Sequence, residues 1–381
     1  MLKLGEKIIN KLYLGDKKIA KVFLGDKLVY QSGKPIFLDY VHFDGASYID
    51  TGIKHQTCIV ECDIRFEETG TRQLMGFGTG SGQYWGAGAT GIFDYMSGTN
   101  ALDRTLVVID FNAEQINYTI YADGKSRTSA NGSYLSSHTY RIGAGPTGVN
   151  SNGYWCTCDV WGNKFTNAEG ELIQDLRPCI DPKGTVCFYD MVTGKYFYNQ
   201  GTGTLKAGGR FVKSILFDGA TYIDTGVKYQ TCTVKTETKF SLTGTRQLMG
   251  FSGSSPIHYW GCNTSGNLDP LSSVSGLEFK EIEVAYNKDD VDNKTLTITV
   301  DGKSAVKAGK MDTTNSYLIG CLNTSSYFAQ CEVKYNEIYV NGELIQDLRP
   351  YVDENGVACF KDIVGGGIFY NKGTGTLGYT E

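Results

Sequence analysis

The stretch "FDGASYIDTG" occupies residues 43–52, and "FDGATYIDTG" occupies residues 217–226. One substitution in ten positions, 174 residues apart, makes this a repeat. Working outward, "TGTRQLMGF" at 69–77 returns unchanged at 243–251, and "YWG" at 84–86 returns at 259–261. "ADGKS" at 122–126 answers to "VDGKS" at 300–304. "GELIQDLRP" at 170–178 is identical at 342–350, and "FYNQGTGTL" at 197–205 becomes "FYNKGTGTL" at 369–377. The offset stays between 172 and 178 throughout, so the chain holds two copies of one domain, with a boundary near Gly208-Gly209. The copies are expected at residues 36–208 and 211–381.

Each copy reads as strands. Runs such as "CIVECDIRF", "TLVVIDF" and "YWCTCDVW" alternate or cluster apolar residues, and Asp-Gly and Thr-Gly signals separate them. "YTIYADGKS" and "LTITVDGKS" read as strand, Asp-Gly turn, strand. Glycine (48) and tyrosine (25) are abundant and proline (7) is scarce, while no helical period persists over 11 residues. The fold class is therefore all-β, with tandem sandwiches of the jelly-roll kind.

Residues 1–33 repeat on a shorter scale. Leu4-Gly5-Glu6-Lys7, Leu14-Gly15-Asp16-Lys17 and Leu24-Gly25-Asp26-Lys27 mark turns between short strands, with Tyr13 and Phe23 among the flanking apolar residues. One such hairpin buries no core, and 33 residues fall below the roughly 40 that fold unaided. This segment is expected to be an anchor, completed by copies of itself or by another protein.

Composition narrows the function. A net charge of −5 disfavours a nucleic-acid partner. No run of 18 apolar residues exists to cross a membrane as a helix, and the N-terminus shows no secretory apolar core. The eleven cysteines, an odd number set mostly among apolar residues, read as reduced buried thiols. No C-x-x-C pair suggests zinc.

The phrase "FDGASYIDTG", the late "DGK" hairpin and the tail "GELIQDLRPCIDPKGTVCFYDMVTGKYFYNQGTGTL" resemble the concanavalin A-like (laminin-G-like) jelly-roll domains of phage structural proteins and gut-bacterial surface proteins. The resemblance spans residues 36–381. The opening "YLGDKKIAKVFLGDKLVY" resembles short repeats of phage tail and head-fibre proteins. Together these imply a virion component, assembled in the host cytoplasm as a homotrimeric head or tail fibre. Residues 1–33 would dock it to other virion proteins, and lectin-like domains would be displayed towards host-surface glycan. The alternatives are a decoration protein whose jelly rolls bind other virion proteins, and a bacterial surface adhesin.

Candidate chemistry follows from particular residues. For glycan, flat aromatics and hydrogen-bond donors converge on Arg72, Gln73, Tyr84 and Trp85, and on Arg246, Gln247, Tyr259 and Trp260, beside the loops "GTGSGQ" and "SGSSPIH". The same tryptophans equally suit a sandwich core. Glycoside hydrolysis needs a carboxylate pair; Glu61, Asp63 and Glu67 are answered in the second copy by Lys235, Glu237 and Ser241, which is not a retained acid–base pair. His42, His55, His138 and His258 share no place between copies, so no triad is expected and the chain reads as non-enzymatic. No cofactor is expected. Calcium is the one metal the resemblance raises, at Asp44, Asp50, Asp218 and Asp224, which read equally as turn residues. In "GELIQDLRP", Asp175 and Arg177, like Asp347 and Arg349, read as a clamp on an edge segment ended by proline.

Overall fold

The computed structural model describes residues 34–77, 84–93, 96–115, 117–129, 138–145, 155–241, 247–251, 259–288, 294–309, 314–323 and 326–381, with the strand backbone of residues 3–31. Every element among them is a strand or turn. The chain divides into two compact units, Met1–Gly208 and Gly209–Glu381.

In unit 1 the order across the large antiparallel sheet is Lys125–Ser129, Asn117–Ala122, Thr105–Asn112, Cys58–Phe66, Thr157–Asn167, Leu172–Ile180, Val186–Asp190 and Tyr196–Phe197. Val41–Asp44 and Lys206–Ala207 extend it beside Thr157–Asn167. A second sheet runs Tyr84–Ala87, Gln73–Phe77, Thr139–Ile142, Ile49–Lys54. Unit 2 repeats the plan around Cys232–Phe240 and Gln330–Val340 in the large sheet and Gln247–Phe251 in the small one. Each unit is an all-β jelly-roll sandwich, as the repeats predict.

Period-two patterning builds the core. Along Cys58–Phe66 every second residue, Cys58, Val60, Cys62, Ile64 and Phe66, is buried, while Ile59, Glu61, Asp63 and Arg65 face out. The inward faces of the two sheets meet in an aromatic ladder. Phe77 of the small sheet lies 5.0 Å from Phe111 of the large one, and Tyr140 lies 5.0 Å from Phe165. In unit 2, Phe251 stands 4.9 Å from Tyr286. His55 and Tyr229 fill corresponding places, each 4.9 Å from the Phe77 or Phe251 ring, which explains how one replaces the other. All eleven cysteines are free and buried.

The Asp-Gly hairpins form as read. Asp123 and Gly124 have φ of 52° and 69°, Asp301 and Gly302 have 50° and 72°, and Ala122 pairs with Lys125 as Val300 does with Lys303. The N-terminal repeat also forms hairpins: Lys3–Leu4 with Lys7–Ile8, Leu12–Leu14 with Lys17–Ile19, and Lys21–Leu24 with Lys27–Gln31. Leu4, Leu14, Leu24, Tyr13 and Phe23 lie on these strands, and their side chains lie outside the described residues.

One expectation is corrected. "GELIQDLRP" is not an edge segment: Leu172–Ile180 runs inside the large sheet between Thr157–Asn167 and Val186–Asp190. Proline is tolerated there because the partner on one side changes. The ladder to Thr157–Asn167 ends at Leu176, and Ile36–Phe37 takes over at Cys179. The Pro178 carbonyl points to this junction and accepts the Leu38 amide at 2.9 Å. A strand residue's N and C=O point the same way, so the missing N–H faces the junction and no ladder bond is lost. Pro350 repeats this with Val212 at 3.1 Å. The Asp–Arg clamp itself is present, Arg177 to Asp175 at 2.9 Å and Arg349 to Asp347 at 2.6 Å.

Candidate functional site

The eight residues read as a glycan site divide by burial. Trp85 and Trp260 are each 0% exposed. Trp85 packs edge-on against Phe66 at 6.2 Å, and its Nε1–H donates to the Tyr140 hydroxyl at 2.6 Å; Trp260 repeats both contacts with Phe240 and Tyr317, at 6.1 and 3.0 Å. Neither indole has a face to offer a sugar, so the ligand-stacking role for these two is withdrawn. Strand alternation gives the cause: in "YW" only one of two neighbours points outward, and it is the tyrosine. Gln73 and Gln247 are equally enclosed. The Gln73 side chain donates to the Glu67 carbonyl at 2.5 Å and accepts from the Thr157 amide at 2.7 Å, and Gln247 accepts from the Gln330 amide at 2.9 Å. They brace the sandwich and are withdrawn as ligand donors.

Tyr84 and Tyr259 remain half-buried at the start of their strands. Each carries a cation over its ring: the Arg72 guanidinium lies 5.3 Å from the Tyr84 centroid, and the Lys307 ammonium lies 4.5 Å from that of Tyr259 and 3.3 Å from Asp269. Arg246, the loops 78–83 and 252–258, and His258 lie outside the described residues. The surviving candidate is thus one rim tyrosine with a cation in each unit. Its signal was the outward phase of the strand.

The four aspartates considered for calcium act as turn braces. Burial works to raise the pKa of Asp44, but amide hydrogen bonds from Thr204 (2.6 Å) and Ala46 (3.0 Å) outweigh it and hold the carboxyl below its ordinary range. Asp218 is held low in the same way by Thr376 and Ala220. Asp50 accepts from the Gly52 amide at 2.9 Å and the Thr139 hydroxyl at 2.8 Å, and Asp224 accepts from the Gly226 amide at 2.9 Å. The Asp44 bonds join two motifs that repeat together, the "FDGA" turn and the "GTGT" loop.

The outer face of the large sheet carries paired charges. Glu61 sits 3.9 Å from Lys164, and Asp63 takes the Arg104 guanidinium at 2.7 Å. Both units place a β-bulge at the same register, Trp161 in unit 1 and Lys334 in unit 2. In unit 1 Arg104 lies 4.6 Å over the Trp161 ring; in unit 2 Lys334 lies 4.0 Å over Phe279, which stands where Arg104 does. Aromatic and cation have exchanged strands. The carboxylate partner is kept as Asp63 or Glu237. What both units retain is the cation–π contact itself, worth about 0.5–1 kcal/mol at a partly exposed site. That marks this face as a packing device.

Among the described residues, one cluster gathers His42, Glu67 and Asp159 in unit 1, whose ligand atoms lie within 4.8 Å of one another. Arg65 is also bonded to Asp159. His42 Nδ1 stands 3.0 Å from Asp159 and 3.7 Å from Glu67. The hydrogen bond to Asp159 raises the His42 pKa above its ordinary 6.5; burial opposes this, the Asp159 and Glu67 charges add to it, and Lys206 opposes it. A pKa raised on folding gives stability that is full below pH 6.5 and lost as the pH climbs through the folded value. The expected result is an imidazole titrating above 6.5 by NMR and a unit 1 midpoint that falls over that window. His42→Leu, the residue found at Leu216 in unit 2, should abolish the fall; a fall that persists would assign it elsewhere.

No family model and no curated protein matches the chain. Among solved structures, the LG1-3 region of the laminin alpha2 chain is similar at 12% identity, over 91% of this chain and 70% of that one, with a TM-score of 0.25. Likeness at that score carries no argument, and the fold rests on the strand order above.

Proposed function

We propose that the chain is a non-enzymatic attachment and display protein of a bacterial virus. Residues 1–33 dock it to other virion proteins, and the two sandwiches are held out to bind host-surface glycan. One observation carries the docking role. Among the described residues, each N-terminal hairpin pairs only within itself, as three separate two-stranded sheets. An isolated two-stranded hairpin is marginal in water, so these strands need a further surface. Both sandwiches, by contrast, have complete cores of their own. A homotrimer supplies such a surface by letting three anchors add strands to one another, and linked domains raise weak affinities by about 10²–10⁴. The sequence resemblance to phage fibre proteins supports the setting, head or tail, and no nucleic acid, membrane or cofactor enters the proposal.

Glycan contact is assigned to the rim tyrosines Tyr84 and Tyr259, which present one aromatic at the same place in both units. A second reading, docking to virion proteins, is favoured by the exposed apolar pairs Met191-Val192 and Ile363-Val364, which tip the same hairpin in each unit.

One experiment addresses both roles. Deleting residues 1–33 should leave both sandwiches folded and abolish incorporation into particles. The truncated protein, trimerised through a fused scaffold, should bind host polysaccharide on an array, and Tyr84→Ala with Tyr259→Ala should reduce that binding tenfold or more, about 1.4 kcal/mol. Particles that still incorporate the truncated chain would overturn the docking role. Folded protein that ignores every host polysaccharide would leave the protein-docking reading in place of the glycan one.

A further inference from the structure

Cys179 and Cys187 sit directly opposite one another on the antiparallel strands Leu172–Ile180 and Val186–Asp190. Their sulfurs lie 3.5 Å apart. Both side chains are buried, but on the side of the sheet away from the core. Phe188, between Cys187 and Tyr189, points inward to Phe43 at 6.1 Å. Cys187 therefore shares the outer face with Tyr189, which lies 5.0 Å from Tyr196 and 6.2 Å from Phe37. Phe37, Tyr189 and Tyr196 form an aromatic row beside the two cysteines, near the end of the sheet.

We propose that Cys179 and Cys187 are a site of disulfide formation, made by exchange with a small-molecule disulfide such as glutathione disulfide once the chain leaves a reducing compartment. Directly opposed residues of an antiparallel pair stand about 4.5–5.5 Å apart at Cα, inside the roughly 4.4–6.8 Å that a disulfide spans. Closing the sulfurs from 3.5 Å to about 2.05 Å needs side-chain rotation and no change of register.

The exchange balances without any other reactant. One thiol loses its proton and attacks a sulfur of glutathione disulfide, forming a mixed disulfide and releasing one glutathione thiolate. The second thiol then loses its proton and attacks the protein-side sulfur of that mixed disulfide, releasing the second glutathione. The two protons return to the two glutathione thiolates. Two protein thiols are oxidised and one glutathione disulfide is reduced to two thiols.

Access comes from the edge. The strand outside Val186–Asp190 is only Tyr196–Phe197, so this hairpin opens by local fluctuation while the rest of the sheet stays paired. Contact with Cys187 and burial both hold Cys179 as the thiol, so the exchange is slow at neutral pH and quickens in alkali. Unit 2 has no counterpart. Tyr351 stands opposite Cys359 there, and the Cys359 thiol donates to the Tyr351 carbonyl at 3.5 Å. The cross-link would tie together Leu172–Ile180 and Val186–Asp190 in unit 1 alone.

The test incubates the native full-length protein with glutathione disulfide at alkaline pH, alkylates free thiols, digests it and maps linked peptides by mass spectrometry. The expected product is a Cys179–Cys187 link with the mass of two hydrogens lost, with Cys359 alkylated and slower amide exchange in Val186–Asp190. Cys187→Ser, a near-isosteric change, should fold and lose both the link and the added protection. Three outcomes overturn the proposal: no linked peptide, a link that forms only in denaturant, or the same mass loss in the Cys187→Ser protein.

Discussion

Gly201→Ala is expected to destabilise unit 1 by about 3 kcal/mol, the upper end for overpacking a closed site, and to lower its unfolding midpoint by ~6–12 °C. A Cβ at Gly201 would lie 2.2 Å from the Ala46 carbonyl oxygen and 2.9 Å from Ser47 Cα, both backbone atoms that no rotamer can move. The loop cannot simply retreat. Its Asn199 accepts the Tyr48 and Gly201 amides at 3.0 and 2.8 Å and donates to the Gly203 carbonyl at 2.6 Å. The Gln200 and Gly203 amides donate to Tyr48 and Ala46, each at 2.9 Å, and Asp44 takes Thr204. A methyl group at Gly201 therefore breaks several bonds at once. Gly373→Ala should do the same to unit 2, where the Cβ would meet the Ala220 oxygen at 2.1 Å. Calorimetry of the full chain, with hydrogen exchange to assign each transition, checks this. A midpoint that does not move in either variant would mean that the loop is not docked as described.

The second large effect concerns Trp85. Trp85→Ala should cost about 4 kcal/mol in unit 1, because the cavity lies at the centre of the aromatic ladder and Phe66, Tyr140 and Phe93 cannot all collapse into it. Trp85→Phe should cost ~1–2 kcal/mol, chiefly by removing the donor to the buried Tyr140 hydroxyl. The folded Trp85→Phe variant should keep whatever glycan affinity the wild type shows, while Tyr84→Ala with Tyr259→Ala loses it tenfold or more at a stability cost of about 0.5–1 kcal/mol in each unit. Denaturant titration beside binding to one responsive polysaccharide separates these effects. A Trp85→Phe protein that is stable yet fails to bind would return the indole to the site.

Period-two alternation, Asp-Gly turns and two copies of each motif are local properties of the chain. They determined the all-β class, the duplication and the hairpins at residues 122–126 and 300–304, because each depends only on neighbours along the strand. They also placed short hairpins in the N-terminal segment, and Lys3–Leu4 with Lys7–Ile8, Leu12–Leu14 with Lys17–Ile19 and Lys21–Leu24 with Lys27–Gln31 pair in that way. Phase along a strand was readable in part: alternation sets Tyr84 and Trp85 on opposite faces, and burial shows that Trp85 is the one inside. Which strand lies beside which was decided elsewhere. Pro178 looked like an edge residue, and only the handover from Thr157–Asn167 to Ile36–Phe37 shows why it is not. Asp44 suggested a cation until Thr204, 160 residues further on, was found on its carboxylate. Arg104 with Trp161, and Lys334 with Phe279, became one device in two versions only once the sheet set them side by side. Pairing between strands distant in the chain is settled by the closure of the whole sandwich. No local pattern records which partner a side chain will meet across it.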